Sequence, residues 1–285
     1  MDLLPTQQGT PRLYAVTPFL LPQRPVTGSS DVSDGVINNF KQGSMNDCFV
    51  LSGINAFAHT DWGSDAIKND IKDNHDGTFT VSFSGDKNHK SYTVTQDDIK
   101  KDYASGDVDV NILAAGLEKY VNDPLNKDTA KQFIGSGMMK PGDPDSDKID
   151  FDHGGDSQYI MKVLGGDQVK SDKSLSAKDG KQAIQDFLTA QAPKIGKGSA
   201  LVLSGNVDKA TGNWTPCKDI SLAHQFAIGK IDLNEDAGDG GSGGTVYYTN
   251  PWDTSIVRKI SVSKLAEDLT TADPSVDSLQ EVNFT

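Results

Sequence analysis

The stretch QGSMNDCFVL, residues 42–51, decides the fold prediction for this chain. It places Cys48 at the start of an apolar, helix-like segment, with Gln42 upstream. Asn46 or Asp47 can cap the helix. Its apolar face would comprise Phe49, Val50, Leu51, Ile54, Phe57 and Ala58. Unpaired N–H groups and the helix dipole favour a thiolate at such an N-terminus, so the segment predicts a reactive cysteine.

Two later segments supply partners for this thiol. AHQF, residues 223–226, places His224 at the head of an apolar strand, and TNPW, residues 249–252, places Asn250 at the end of the next predicted strand. A thiol nucleophile needs a base for its proton and a group that orients the base. If the two strands are neighbours, the Asn250 carbonyl can accept the imidazole N–H and fix its tautomer. The order Cys48, His224, Asn250 therefore predicts a thiol-protease triad.

Two more side chains would support this triad. Gln42 can donate its amide N–H to an oxyanion, together with the backbone N–H of Cys48. Trp252, packed over the His–Asn bond, would exclude water and strengthen that bond. Taken singly, each candidate is more often structural: a buried thiol, a strand histidine, a turn asparagine, a core indole or a loop amide. Their joint order and sequence context favour the functional interpretation.

The remaining residues that could carry chemistry form no competing site. The other histidines are expected to face solvent; they are His59, His75, His89 and His153. No paired metal-ligand spacing occurs, and the acidic loop 232–240 lacks the last glutamate of an EF-hand, so it is interpreted as a solvated turn. No phosphate-binding or dinucleotide fingerprint is present. Cys217 is interpreted as a spare thiol, because a disulfide with Cys48 would consume the nucleophile.

Charge and hydropathy restrict the partners and the location. The chain has 285 residues and a formal net charge of −13. Such a charge repels phosphate backbones and anionic membranes, so we expect no nucleic-acid and no membrane partner, and a protein or peptide substrate instead. The apolar run 16–22 is short and broken by proline, and the N-terminus lacks a basic signal-peptide region. We expect a cytoplasmic protein or one exported by a leaderless route. Its oligomeric state stays open.

The pattern along the chain favours an α+β protein. Residues 1–35 are interpreted as a flexible extension, 36–166 as a helical lobe that carries Cys48, and 167–285 as a β-rich lobe that carries His224 and Asn250. A hairpin is predicted over 78–83 and 91–95, and most of 122–152 is predicted to be loop. Predicted helices follow Asp47 and cover 110–121, 159–164, 178–191 and 261–268; predicted antiparallel strands cover 200–203, 225–231, 245–249 and 256–260.

These residues together resemble the calpain family of papain-fold cysteine peptidases. Residues 42–48 are similar to that family's cysteine box, and residues 223–224 and 250–252 are similar to its histidine and asparagine boxes. Weaker similarities occur at 74–81, 117–120 and 165–166, so the likeness spans roughly residues 36–270. Where the family usually has glycine, tryptophan, glycine and glycine, this chain has Asn46, Phe49, Ala223 and Asp253.

The resemblance implies a papain-like two-lobe fold and a calpain-like endopeptidase. Cys48 would attack a peptide carbonyl, His224 would take and return the proton, Asn250 would orient His224, and Gln42 would stabilise the oxyanion. No cofactor is predicted; the resemblance implies calcium activation in some members, but acidic ligands cannot be matched, so calcium stays open. Two alternatives remain: another thiol acyl-transfer enzyme (a glutamine deamidase, acyltransferase or transglutaminase), or a catalytically inactive binding module.

Overall fold

Helices and antiparallel strands make up the described part of the chain, which is therefore a mixed α and β protein with antiparallel sheets. The computed structural model describes residues 32–101, 103–126, 149, 151–217, 223–271 and 278–284. Its α-helices are α1 (Cys48–Ala58), α2 (Gly63–Asp70), α3 (Gln96–Ile99), α4 (Val108–Val121), α5 (Ser157–Gly165), α6 (Lys181–Gln191) and α7 (Val262–Thr270). Within the described ranges, none of the helices has the length and apolar character needed to span a membrane.

The strands form a large sheet and two small ones. They are β1 (Lys41–Gln42), β2 (Ile71–Asp73), β3 (Phe79–Ser82), β4 (Ser91–Val94), β5 (Ala104–Ser105), β6 (Ser171–Ser176), β7 (Ser199–Val207), β8 (Trp214–Thr215), β9 (Ala223–Asp232), β10 (Thr245–Asn250), β11 (Asp253–Ser261) and β12 (Ser278–Asn283). The seven-stranded sheet has the order β11-β10-β9-β7-β12-β6, and β8 pairs with the end of β7. Each pairing in this sheet is antiparallel.

The two faces of the large sheet pack into two different cores, because successive side chains on a strand point to opposite faces. On one face, Val202 and Ala227 join the core built around α1, α4 and α5. On the other face, Leu203 and Phe226 join the core built with α6 and α7. Since α1 packs directly against β9 and β7, the cysteine-bearing helix and the histidine-bearing strand are neighbours.

Most predicted elements are confirmed, including the helix that begins at Cys48, the hairpin of β3 and β4, and the strands that precede Asn250. The sequence did not predict α2, α3, β1, β2, β5, β6, β8 or β12. The sequence of β6, SDKSLS, has one strongly apolar residue, and it is an edge strand with most of its length exposed. An exposed edge strand needs little alternation of apolar and polar residues, so the sequence of β6 does not indicate a strand.

The predicted N-terminal extension lies mostly outside the described residues. Of the range 1–35, the structure describes residues 32–35, and these are anchored: the Ser33 N–H donates to Asp109 Oδ1 at 2.9 Å, and its hydroxyl donates to the Ile71 carbonyl at 3.0 Å. Residues 32–35 are therefore held against the fold rather than being flexible. The predicted loop over 122–152 also falls largely outside the described residues, and the boundary between 166 and 167 stays a prediction.

Candidate active site

Cys48 is the first residue of α1, and its thiol is buried, with 8% of the residue exposed. Backbone N–H groups of Gln225, Phe49 and Cys48 donate to the sulfur and lower its pKa, as expected at a helix N-terminus. Burial outweighs them and, with the charge of Asp47, raises the pKa of Cys48 to about 12. The resting group is therefore a protonated thiol. The helix end favours the thiolate as expected, but burial is the larger effect and the net pKa is raised.

His224 and Asn250 are brought together by neighbouring strands. β9 pairs with β10, with Thr249 opposite Ala227, so the start of one strand lies beside the end of the other. His224 Nε2 lies 2.8 Å from Asn250 Oδ1, and both residues are buried. This is the pairing that the sequence predicted for the base and its orienting group.

The amide of Asn250 is held in one orientation by two further bonds. Its Nδ2 donates to the Gly212 carbonyl at 2.8 Å, and its Oδ1 accepts the Trp252 backbone N–H at 2.9 Å. Because Oδ1 is an acceptor, His224 Nε2 must carry the proton that it donates. The neutral imidazole then has its lone pair on Nδ1, which is the tautomer that can accept a proton from a thiol.

Aromatic rings and one cation surround the imidazole. The Trp252 ring is tilted over it with centroids 5.1 Å apart, and the Phe226 ring meets it edge-on at 4.9 Å. The pKa of His224 is lowered to about 4. Burial is the largest cause, the charge of Arg258 also lowers the pKa, and the bond to Asn250 opposes both. His224 is thus a neutral base at neutral pH. Trp252 covers it as predicted, although the indole itself remains 40% exposed.

Gln42 lies beside this site but uses both amide protons within the protein. Its Nε2 donates to the Met45 carbonyl at 2.7 Å and to Asp47 Oδ1 at 3.0 Å. Its backbone N–H donates to the Pro251 carbonyl at 2.7 Å, which ties β1 to the segment after Asn250. To bind the Gln42 amide, an oxyanion would have to displace either the Met45 carbonyl or the Asp47 carboxylate. Asp47, which is completely buried, is therefore a competitor for the proton that the sequence assigns to the oxyanion.

The other histidines belong to segments other than those that carry the triad. His59 Nδ1 contacts the Asn55 carbonyl at 2.6 Å beyond the far end of α1. His59 is half-buried, less exposed than expected, and burial lowers its pKa. His75 and His89 are in turns at φ values of 60° and 49°. His153 ends a 3-10 helix, Phe151–His153.

Cys217 and the acidic loop after β9 lie outside the triad. Cys217 is buried and not in a disulfide. Among the described residues, no group of three or more histidine, cysteine or acidic side chains could hold a metal ion. In the loop after β9, Asp239 accepts the backbone N–H groups of Gly241 and Ser261, so its carboxylate caps the turn.

Several residues that act on the triad were not predicted as site residues, among them Gly212, Arg258 and Gln225. Gly212 supplies the carbonyl that orients Asn250, Arg258 acts on His224 through its charge, and Gln225 donates to the sulfur. Gly212 and Arg258 lie outside the motifs that indicated the triad. A pattern around a turn glycine or a strand arginine does not indicate such contacts, because they depend on which loops meet in the fold.

No family model matches this sequence, and no curated protein matches it. Among solved structures, the chain is similar to the Pseudomonas avirulence protein AvrPphB, with 12% sequence identity and a TM-score of 0.33. The match covers 89% of this chain and 100% of that chain. A likeness of this size assigns neither a fold nor an activity to the chain.

Proposed function

We propose that the protein is a papain-like, calpain-like cysteine endopeptidase that acts through Cys48, His224 and Asn250. The observation that carries the proposal is the buried His224–Asn250 bond of 2.8 Å beside a helix that begins at Cys48. The sulfur of Cys48 accepts the N–H of the residue directly after His224, so the two groups belong to one site. This constellation is the one that thiol acyl transfer requires.

The proposed reaction begins from a neutral pair. His224 Nδ1 takes the proton of Cys48 as the sulfur attacks a peptide carbonyl, and the imidazolium then returns it to the leaving amine. Water hydrolyses the acyl-enzyme with His224 again as the base. The Asn250 carbonyl holds the imidazole throughout, since its amide is fixed by Gly212 and by the Trp252 backbone. The Cys48 backbone N–H and Gln42 would bind the oxyanion once Gln42 exchanges one of its present acceptors.

The proposal includes a papain-like arrangement of two lobes around the site, with α1 on one side and the sheet of β9 and β10 on the other. A protein or peptide substrate agrees with the acidic charge of the chain, which disfavours polyanions. No residue of this mechanism needs a cofactor, and calcium activation stays open.

Covalent labelling tests the proposal. An epoxide inhibitor of thiol proteases should modify Cys48, and Cys48→Ala should abolish the label, whereas Cys217→Ser should retain it. Peptide mapping by mass spectrometry after incubation with denatured proteins then identifies the reaction. New peptide termini indicate proteolysis, and glutamine converted to glutamate indicates a deamidase. Peptidase activity that survives Cys48→Ala would contradict the assignment.

A further inference from the structure

Gln225 contacts two helices from its position next to His224. Its backbone carbonyl accepts the hydroxyl of Ser52 at 2.8 Å, and its backbone N–H donates to the Cys48 sulfur. Ser52 lies in the turn of α1 that follows Cys48. The strand that carries the base is therefore hydrogen-bonded to the helix that carries the thiol at two points.

The side chain of Gln225 adds a third connection. Its Nε2 donates to the Gly155 carbonyl at 3.0 Å, and its Oε1 contacts the hydroxyl of Ser157. That hydroxyl also lies 2.7 Å from the carbonyl of Phe49, the residue after Cys48. Ser157 has one hydroxyl proton, which these two acceptors share. Through Ser157, the amide of Gln225 is joined to the first turn of α1.

We propose that Gln225 is a positioning residue that keeps the Cys48 helix in register with the His224 strand; this inference rests on the proposed function of that pair. Apolar packing between α1 and the sheet is non-directional and permits small shifts. Hydrogen bonds depend on distance and angle, so the bonds of Gln225 restrict those shifts. Limiting the shifts between α1 and the sheet matters because a misplacement of about 1 Å in a reacting pair can cost about 100-fold in rate.

The test measures the alkylation rate of Cys48 by iodoacetamide from about pH 5 to 8, in a Cys217→Ser background. In the parent protein His224 is already a free base over this range, so we expect a nearly flat profile. Gln225→Ala keeps the two backbone bonds and loses the side-chain connection through Ser157 and Gly155. We expect the imidazole then to be displaced from the sulfur, so that the thiol must ionise by itself. The rate should then rise about tenfold per pH unit and be about 10–100-fold lower at pH 6. The other charges that act on the pair, those of Asp47 and Arg258, are the same in both proteins.

A double mutant separates positioning from a general structural effect. In a His224→Ala background, Gln225→Ala should change the alkylation rate less than about twofold, because its effect passes through the imidazole. An equal effect in both backgrounds would overturn the proposal. Gln182→Ala, at an exposed glutamine of α6, is the matched control and should leave the profile flat. If Gln225→Ala does not fold, Ser157→Ala removes the shared contact without truncating the amide and should produce the same slope.

The remaining outcomes distinguish the two proposals. A flat profile in both Gln225→Ala and Ser157→Ala, with a sloped profile in His224→Ala, would overturn the role of Gln225 and leave the proposed function intact. A flat profile in His224→Ala would show that the imidazole does not serve the thiol, and would overturn both.

Discussion

At the scale of single residues, the most constrained group in the site is the amide of Asn250. It is fully buried and its oxygen and nitrogen both have partners, so it can present only its oxygen to His224. The protonated nitrogen of the imidazole is thereby fixed without any charged group. An uncharged orienting partner suits a buried site, because a carboxylate there would carry a desolvation cost.

Asn250→Ala should lower the rate at which Cys48 is labelled by about 10–100-fold, because losing a buried hydrogen bond costs about 1–3 kcal/mol and frees the ring. The measurement is the labelling rate of Cys48 at neutral pH by mass spectrometry. Asn234→Ala, at an exposed loop asparagine, is the control and should have no effect. An unchanged rate in Asn250→Ala would remove Asn250 from the triad.

The low pKa of His224 sets the acid limit of the reaction. The pKa is about 4 in the folded protein against the ordinary value of 6.5, so the base is lost only below about pH 4. A lowered pKa stabilises the fold above pH 6.5, and that contribution, about 3 kcal/mol, is lost as the pH falls through 4. We expect labelling of Cys48 to be half-maximal near pH 4. We also expect the loss of stability at acid pH to be smaller in His224→Gln. Half-maximal labelling near pH 6.5 would contradict the burial of this imidazole.

Asp70 is a buried carboxyl outside the site that should make stability depend on pH. Burial raises its pKa from 3.8 to about 8, and its Oδ2 has no hydrogen-bond partner. Because the pKa is raised, the contribution of the Asp70 carboxyl to stability is complete below pH 3.8 and is lost as the pH rises through 8. Asp70→Asn should therefore raise the free energy of unfolding at pH 8.5 by roughly 2–5 kcal/mol more than it does at pH 4. Urea unfolding at both pH values measures this, and Asp65→Asn, exposed on the same helix, should show no such difference.

The sequence was informative about the residues of the proposed triad and less so about the residues that hold them. Cys48, His224 and Asn250 could be predicted because each occupies a recognisable place, a helix start or a strand end. Gly212 acts through a backbone carbonyl, which every residue type possesses, and Gln225 acts through both its backbone and its side-chain amide. No local pattern distinguishes those two positions from others in a loop or strand.

At the scale of elements, α1 and α5 approach each other closely at Gly53. A Cβ at that position would lie 2.8 Å from Ile160 Cβ and 3.2 Å from the Ser157 carbonyl. Glycine in a helix interior normally costs stability, and here it permits the helices to pack in contact. This contact also places Ser157 beside Phe49, the residue after Cys48.

Gly53→Ala should destabilise the protein by about 1–3 kcal/mol, since the overlap outweighs a gain in helix propensity of about 1 kcal/mol. Urea unfolding followed by circular dichroism measures the change. Ala190→Gly, on the exposed side of α6, exchanges the same two residue types where no Cβ overlap arises. It should lower stability only by the difference in helix propensity between alanine and glycine. A more stable Gly53→Ala variant would mean that the two helices are not in close contact.

Elements with a strong periodic pattern could be predicted, and those placed by tertiary contacts could not. The wide apolar face of α1 and the alternation of β3 both reflect burial on one side. β12 has the short sequence SLQEVN and lies between β7 and β6. Glu281 in this strand is buried and contacts Ser199 at 3.2 Å. A buried glutamate breaks the expected pattern, so the sequence alone does not indicate an interior strand.

At the scale of the whole molecule, the end of the chain is packed into the part that carries Cys48. Phe284 follows β12, and its ring meets Phe57 at 5.5 Å and Trp62 at 4.9 Å between centroids. Phe57 is in α1, and Trp62 precedes α2. The strand order places β12 next to β7, which in turn pairs with the histidine strand. The last residues therefore connect the two cores on either face of the large sheet.

This connection predicts that the two cores unfold together and that Phe284→Ala weakens both. Removing a buried phenylalanine ring should cost about 3–5 kcal/mol. Leu125→Ala, at a side chain that is 67% exposed, is the control and should change stability by less than about 0.5 kcal/mol. Variants that retain a single tryptophan, Trp62 near one core or Trp214 in the other, report each core separately by fluorescence. Their unfolding midpoints should coincide and fall together in Phe284→Ala. If only the Trp62 transition shifts, the cores are independent, and the alignment of the Cys48 helix with the His224 strand must then rest on local contacts such as those of Gln225.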